Sequence, residues 1–238
     1  MPAAGGPPRL QRDARAAARR QRRGARATPP ARRVSRAWWT KPLVFGLALG
    51  PLLALAWRLF TDDLGGDPIE ALEQETGTWA LRFVAITLAL TPLRALTGWN
   101  ALVRYRRMLG LFAFFYATVH LCVYAGLDME LSAADLVGDV VEHPYVTIGF
   151  ATWLLLLPLA VTSTTGWVRR LGGRRWRLLH RLTYVVAVTG TIHYLWAVKK
   201  DTLRPFTYAL VFAALLGWRL WAHRRGRAAG PRAAEAAA

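Results

Sequence analysis

The sequence predicts an all-α membrane protein, a six-helix transmembrane bundle with both termini cytoplasmic. Three observations carry that prediction. Hydrophobic residues make up 54% of the 238-residue chain, and they gather into six runs, each near the roughly 20 residues needed to cross about 30 Å of hydrocarbon. Charged residues, 19% of the total, cluster between the runs instead of forming the polar stripe of a soluble helix. The charges between runs also alternate in sign along the chain, which assigns each connection to a side.

Residues 1–40 form an Arg-rich tail with Ala, Pro, Gly and a single acid, Asp13. That composition cannot bury a core and reads as disordered. No A-x-A-like site closes the next apolar run, so it reads as a retained helix, not a cleaved signal. The runs fall at 42–60, 79–97, 108–126, 146–166, 178–197 and 205–222, within a transmembrane domain at 41–223, and a short cytoplasmic tail follows at 224–238. Trp38, Trp39, Trp79, Trp99, Trp167, Trp176, Trp196 and Trp221 mark run ends, as expected of rings that are apolar but carry an N–H needing a partner. Pro51, Pro92 and Pro158 lie inside runs, where each removes a backbone donor. Pro144 and Pro205 sit near helix starts, where proline costs least.

Topology follows from the connections. The first, 61–78, carries Asp62, Asp63, Asp67, Glu70, Glu73 and Glu75 and no Lys or Arg. The third, 127–145, carries Asp128, Glu130, Asp135, Asp139 and Glu142, again without a basic residue other than His143. The second holds Arg94, Arg104, Arg106 and Arg107, and the fourth holds Arg169, Arg170, Arg174, Arg175 and Arg177. Lys and Arg accumulate on the cytoplasmic side, so the second and fourth connections and both tails face inward. Lys199, Lys200 and Arg204 in the fifth connection run against the pattern. The net charge of +18 is divided among these segments and forms no single patch, which argues against nucleic-acid function; the Arg-rich N-terminus alone could bind RNA, DNA or anionic lipid, and membrane lipid is a partner of the spans. The lone cysteine, Cys122, excludes an intrachain disulfide and any Cys-based zinc or iron–sulfur site.

Three histidines, His120, His180 and His193, lie in apolar runs. An ionisable ring there is costly and usually functional, and imidazole is a common protein ligand of heme iron. His120 stands about 12 residues and His193 about 15 residues from the cytoplasmic ends of two helices that run the same way, so both reach similar depth in the outer half of the bilayer. They are candidates to ligate one heme from opposite faces. His180 lies about 20 Å nearer the cytoplasm if one helix carries both it and His193. On such a helix the two rings stand roughly 140° apart, so a shared face needs a distortion, for which Gly190 is the candidate. Arg107 stands thirteen residues before His120, where a partner for His180 is expected, and an arginine stays protonated and cannot ligate iron. The inner site is therefore either a heme with an unusual second ligand or a place for anionic groups, such as heme propionates or a flavin phosphate. Arg106, Arg107, Arg174, Arg175 and Arg177 are placed to bind such groups. His143 and His223 read as boundary residues.

Several stretches carry a resemblance: Gly66-Asp67-Pro68; Arg106-Arg107-Met108-Leu109-Gly110-Leu111; His120 with Tyr124; Pro144-Tyr145 before Trp153; Thr162-Ser163-Thr164; Leu179-His180-Arg181-Leu182-Thr183-Tyr184; and Ile192-His193-Tyr194-Leu195-Trp196. Over roughly residues 40–220 the chain resembles the heme-binding membrane subunit of the bacterial protein-methionine-sulfoxide reductase system, the MsrQ family. The wider group is the ferric-reductase-like transmembrane domain, which includes the membrane part of NADPH oxidases. The resemblance implies b-type heme and FMN as cofactors, with the family's heme-ligand histidines matching His120, His180 and His193. Relative to bis-histidine oxidases one histidine is missing where Arg107 stands, so heme stoichiometry stays open. It implies an inner-membrane, multi-pass redox subunit that is not itself the catalytic one. Its electrons would come from the quinone pool or a cytoplasmic donor such as a flavin reductase. They would pass to a periplasmic molybdopterin-dependent methionine sulfoxide reductase, a heterodimeric partner, for repair of oxidised periplasmic proteins. The rival readings are a stand-alone ferric or metal reductase of the same fold and, further off, a small proton-coupled transporter.

Overall fold

A computed structural model describes residues 39–199 and 202–235, with side chains described through residue 225. The Arg-rich tail at 1–40 lies outside the described residues except for Trp39 and Thr40, as do Trp38 and Lys200. The chain divides into two compact units, residues 1–43 and 44–238. Of the first, only Trp39–Leu43 is described; it opens a helix, with Leu43 N donating to Trp39 O at 3.1 Å.

Every regular element among the described residues is helical. Helix α1 is Thr40–Phe60, α2 is Pro68–Thr97, α3 is Arg106–Val123, α4 is Ala133–Glu142, α5 is Pro144–Val161, α6 is Thr165–Leu179, α7 is Leu182–Ala197 and α8 is Leu203–Glu235. A 3₁₀ turn at Asn100–Tyr105 leads into α3, and a π turn at Tyr124–Asp128 leads out of it. Within the segment expected as a tail at 224–238, the backbone of α8 runs on to Glu235.

Three connections expected to be loops are partly helical. Asp67 accepts from Glu70 N at 2.9 Å and Pro68 occupies the first turn, so α2 starts at 68 and not at 79. These are the N-terminal signals of a helix, a side-chain cap followed by proline. Ser132 caps α4 through Asp135 N at 3.3 Å. Thr164 caps α6 through Trp167 N at 3.3 Å, and Gly172 (φ 74°) breaks that helix midway. At 30 residues, α2 is about 45 Å long, longer than the hydrocarbon layer is thick, so its acidic first turns extend past the apolar run.

Five segments are long and apolar enough to cross a membrane: Thr40–Phe60, Pro68–Thr97, Asn100–Asp128, Pro144–Val161 and Leu203–Arg225. The remaining expected span, 178–197, differs from the reading above. The chain turns at His180 and Arg181, with Arg181 N donating to Leu178 O and Tyr184 N to Arg181 O at 3.0 and 2.9 Å. The helix that follows, α7, has 16 residues. His180 and His193 therefore do not share one helix, and the 140° between them needs no distortion. Gly190 sits in unbroken helix; a Cβ there would stand 3.1 Å from Leu81 Cδ2, so its role is close packing.

Helix α2 packs chiefly on α3, and α5 on α7. The core fills the space among them with Phe83, Val84, Leu88, Leu109, Phe112, Ala113, Leu156, Leu159, Val186 and Ala187, closed by Phe212 of α8. Phe83 stacks on Phe112 at 5.5 Å and on Tyr116 at 5.3 Å. The fully buried Tyr116 also repairs α1. Its hydroxyl donates to Ala48 O at 2.9 Å and accepts from Leu52 N at 3.0 Å, the two ends of one i→i−4 step beside Pro51. An unsatisfied backbone group in lipid costs several kcal/mol, so a side chain inserted into the ladder stabilises this proline-containing turn.

Candidate functional site

His120 is near the end of α3 and His193 is in the second half of α7, and the structure brings them together. Their ring centroids are 6.1 Å apart. Both line one cavity of about 750 Å³, enclosed by α2, α3, α5 and α7, with Leu81, Val84, Trp153 and Leu156 among its apolar walls. Glu70, Glu73, Gln74, Asp128, Lys199 and Arg204 form its polar rim. Trp153 is fixed by its Nε1–H, which donates to Thr118 Oγ1 at 3.0 Å, and by stacking on Phe114 at 6.1 Å.

Each imidazole is oriented in the same way. His120 Nδ1 lies 3.0 Å from Glu73 O, and His193 Nδ1 lies 2.7 Å from Tyr145 O. A carbonyl only accepts, so Nδ1 carries the proton and Nε2 keeps its lone pair, the tautomer needed of a metal ligand. Four residues after each of these carbonyls stands a glycine, Gly77 after Glu73 and Gly149 after Tyr145. A Cβ on Gly77 would stand 3.2 Å from His120 Cε1 and Nδ1, and one on Gly149 only 2.7 Å from His193 Cε1 and Nδ1. The rings lie on bare helix backbone, and glycine is what admits them. Sequence reasoning missed both glycines; Gly149 interrupts an apolar run, and Gly77 falls in the acidic connection at 61–78.

At the rim, the Tyr124 hydroxyl donates to Asp139 Oδ2 of α4, and His143 Nδ1 stands 2.7 Å from Asp139 Oδ1. These bonds tie α4 to the π turn and to the start of α5. His143, read as a bland boundary residue, is part of this tie.

The structure does not bring His180 into the cavity. It caps α6, with Nδ1 donating to Trp176 O at 3.1 Å, its ring stacked on Trp176 at 3.8 Å, and Nε2 3.5 Å from Ser163 Oγ. Around this end lie the expected arginines. Arg106 is half-buried; Arg107, Arg174, Arg175 and Arg177 are exposed, and Arg107 Nη1 donates to Thr165 Oγ1 at 3.4 Å. Two half-buried arginines that sequence reasoning passed over are held by side chains of neighbouring helices. Arg82 Nε donates to Tyr208 Oη at 3.0 Å, and Arg219 bonds Tyr184, Leu88 and Thr91.

The donor set at the cavity is two neutral imidazoles, and no cluster of three or more His, Cys, Asp or Glu that could hold a metal occurs among the described residues. A bare structural ion such as zinc takes about four ligands, whereas heme iron needs only axial ones from the protein. The neutral imidazole pair, 6.1 Å apart, and the cavity they line fit a heme.

Helical spans surround the histidine pair, and residues 76–191 match the family model described as ferric reductase like transmembrane component. Curated relatives narrow the class. It is 50% identical over 187 residues (76% of this chain, 85% of the relative) to the protein-methionine-sulfoxide reductase heme-binding subunit MsrQ of Xanthomonas oryzae pv. oryzae (strain MAFF 311018). It is 48% identical, with the same coverage, to that of Xanthomonas campestris pv. campestris (strain 8004). To that of Polaromonas naphthalenivorans (strain CJ2) it is 46% identical over 185 residues (77% and 84%). The chain belongs to the MsrQ family. It is a multi-pass inner-membrane protein. No solved structure matches it.

Proposed function

We propose that this chain is the b-heme membrane subunit of a protein-methionine-sulfoxide reductase, in which His120 and His193 would hold the heme iron. The observation that carries the reading is the pair of imidazoles facing one cavity, each with Nδ1 bonded to a helix carbonyl and Nε2 left free. The relatives' name, heme-binding subunit of protein-methionine-sulfoxide reductase, supports it. So does the sign of the connections, which favours six spans, with α7 as the short one, and cytoplasmic termini.

In this reading the protein binds, orients and insulates. The Glu73 and Tyr145 carbonyls hold each imidazole neutral and raise its basicity as a ligand. Leu81, Val84, Trp153 and Leu156 exclude water and keep the local dielectric low, a main lever on redox potential. Heme, when bound, supplies the one-electron chemistry. Electrons arrive from the quinone pool or a cytoplasmic donor and leave at the acidic outer face for a periplasmic molybdopterin-dependent catalytic subunit. The arginines of the inner end, Arg106, Arg107, Arg174, Arg175 and Arg177, are assigned to anionic groups of heme or of FMN. His180, apart from the pair, belongs to that inner end.

The test is a pyridine hemochrome assay and a reduced-minus-oxidised spectrum on the purified chain. A b-type spectrum that is lost in His120→Ala and in His193→Ala is the expected result. A spectrum unchanged by either substitution overturns the ligand assignment.

A further inference from the structure

At the end of the bundle away from the imidazole pair, two half-buried arginines stand within electrostatic reach of each other without a counter-ion among the described residues. Arg219 of α8 is held by three groups: Nη1 donates to Tyr184 Oη at 2.6 Å, and Nη2 donates to Leu88 O at 2.9 Å and to Thr91 Oγ1 at 3.2 Å. Its plane lies over the Tyr184 ring, 5.0 Å from the centroid. Its Nε is buried with no hydrogen-bond partner. Arg106, at the start of α3, is half-buried, within electrostatic reach of both Arg219 and Tyr184, and makes no ion pair among the described residues. The Asp and Glu side chains described all lie between residues 62 and 142, in the acidic connections and the elements next to them.

A guanidinium does not deprotonate in proteins, so two of them sharing one partly desolvated place remain cationic and repel. Keeping such charge unpaired away from water is costly. Three of the donors on Arg219 are spent on fixing its plane, while the Nε–H is left over. The exposed Trp99 and Trp221 flank this end, at the level where tryptophan meets lipid headgroups.

We infer that Arg106 and Arg219, with Tyr184 and Thr91 as supports, form a binding site for a phosphate group, presented by an anionic phospholipid headgroup or by a soluble phosphate compound. The inference deepens the anion-binding assignment of Arg106, adds Arg219 to it, and is independent of the imidazole pair. The unused Nε–H of Arg219 and the Arg106 guanidinium supply charge-assisted donors, the kind that planar forks direct at phosphate.

The experiment uses the full chain in detergent, melted in sodium phosphate and in sodium chloride at matched ionic strength. A parallel series uses nanodiscs of phosphatidylcholine alone or mixed with phosphatidylglycerol. Stabilisation by inorganic phosphate assigns a free phosphate, stabilisation by phosphatidylglycerol alone assigns a lipid headgroup, and both support the site. In Arg106→Gln/Arg219→Gln the apparent affinity falls by about tenfold or more, the value of a charge-assisted hydrogen bond or two. In Arg169→Gln/Arg170→Gln, at exposed positions outside the assigned set, it changes by less than about threefold. If the double variant does not fold, Arg219→Lys carries the test, since it keeps the charge and loses the fork. Weaker stabilisation in Arg219→Lys supports the site. No stabilisation of the parent chain by either source, or equal stabilisation in the variants, overturns it. The hemochrome of each sample is read in parallel, so loss of the phosphate effect and loss of the heme reading are told apart.

Discussion

Replacing Gly149 with alanine tests the site at its tightest contact. The added Cβ stands 2.7 Å from His193 Cε1 and Nδ1, and ordinary contact begins at 3.4 Å. The ring must retreat by about 0.7 Å, the difference of those values. The Nδ1–H bond to Tyr145 O, 2.7 Å long, then opens to about 3.4 Å, outside the range of an N–H···O bond. Loss of such an outer-shell partner typically costs about 10–100-fold in metal affinity. Gly77→Ala is the graded control. Its Cβ stands 3.2 Å from His120 Nδ1, so a retreat of about 0.2 Å suffices and the 3.0 Å bond to Glu73 O survives within the normal range. Heme titration of each purified variant, read by pyridine hemochrome with circular dichroism as the check on folding, is expected to rank the parent first, Gly77→Ala close behind and Gly149→Ala well below. Equal heme affinity in Gly149→Ala and the parent would refute the claim that this glycine seats the ring.

His180→Ala is expected to retain the hemochrome that His120→Ala and His193→Ala lose, because the structure separates His180 from the cavity; an equal loss in all three, read by the same assay, refutes that separation. Tyr116→Phe strips the bridge between Ala48 O and Leu52 N and leaves two backbone groups short of a partner, a loss of about 1–3 kcal/mol, measured as a fall in thermal midpoint with heme content unchanged. Gly172→Ala forces a Cβ onto a backbone conformation (φ 74°, ψ 149°) that essentially only glycine adopts and is expected to cost about 1–3 kcal/mol, again in melting and not in the spectrum.

Much of the fold is legible in sequence because lipid imposes a simple rule: apolar runs near 20 residues become spans. Asp67-Pro68 and Ser132 also announce helix starts, yet the acidic residues around them read as loop because charge dominates local composition. The break at His180–Arg181 is less legible. No glycine or proline marks it, and Leu178 to Ala197 reads as one apolar run until the Trp176 carbonyl and ring are seen to capture His180. Two rings at matching depth are foreseeable from His120 and His193 alone. Their seats are not, because neither Gly77, in an acidic stretch, nor Gly149, in an apolar one, has a local reason to be there. The reason lies across the interface, in a histidine on the neighbouring helix.

That arrangement makes the site two half-sites. His120 of α3 bonds the Glu73 carbonyl of α2 beside Gly77, and His193 of α7 bonds the Tyr145 carbonyl of α5 beside Gly149. Each half is complete within one closely packed helix pair, α2 with α3 and α5 with α7. The orientation of each ring is therefore set locally, whereas the 6.1 Å between them is set by how the two pairs meet. Part of that meeting is the Trp153 bond to Thr118 and the Trp153–Phe114 stack between α5 and α3. Packed interiors resist small displacements, so a scaffold of this kind can hold two ligand nitrogens at fixed spacing without any direct bond between the histidines.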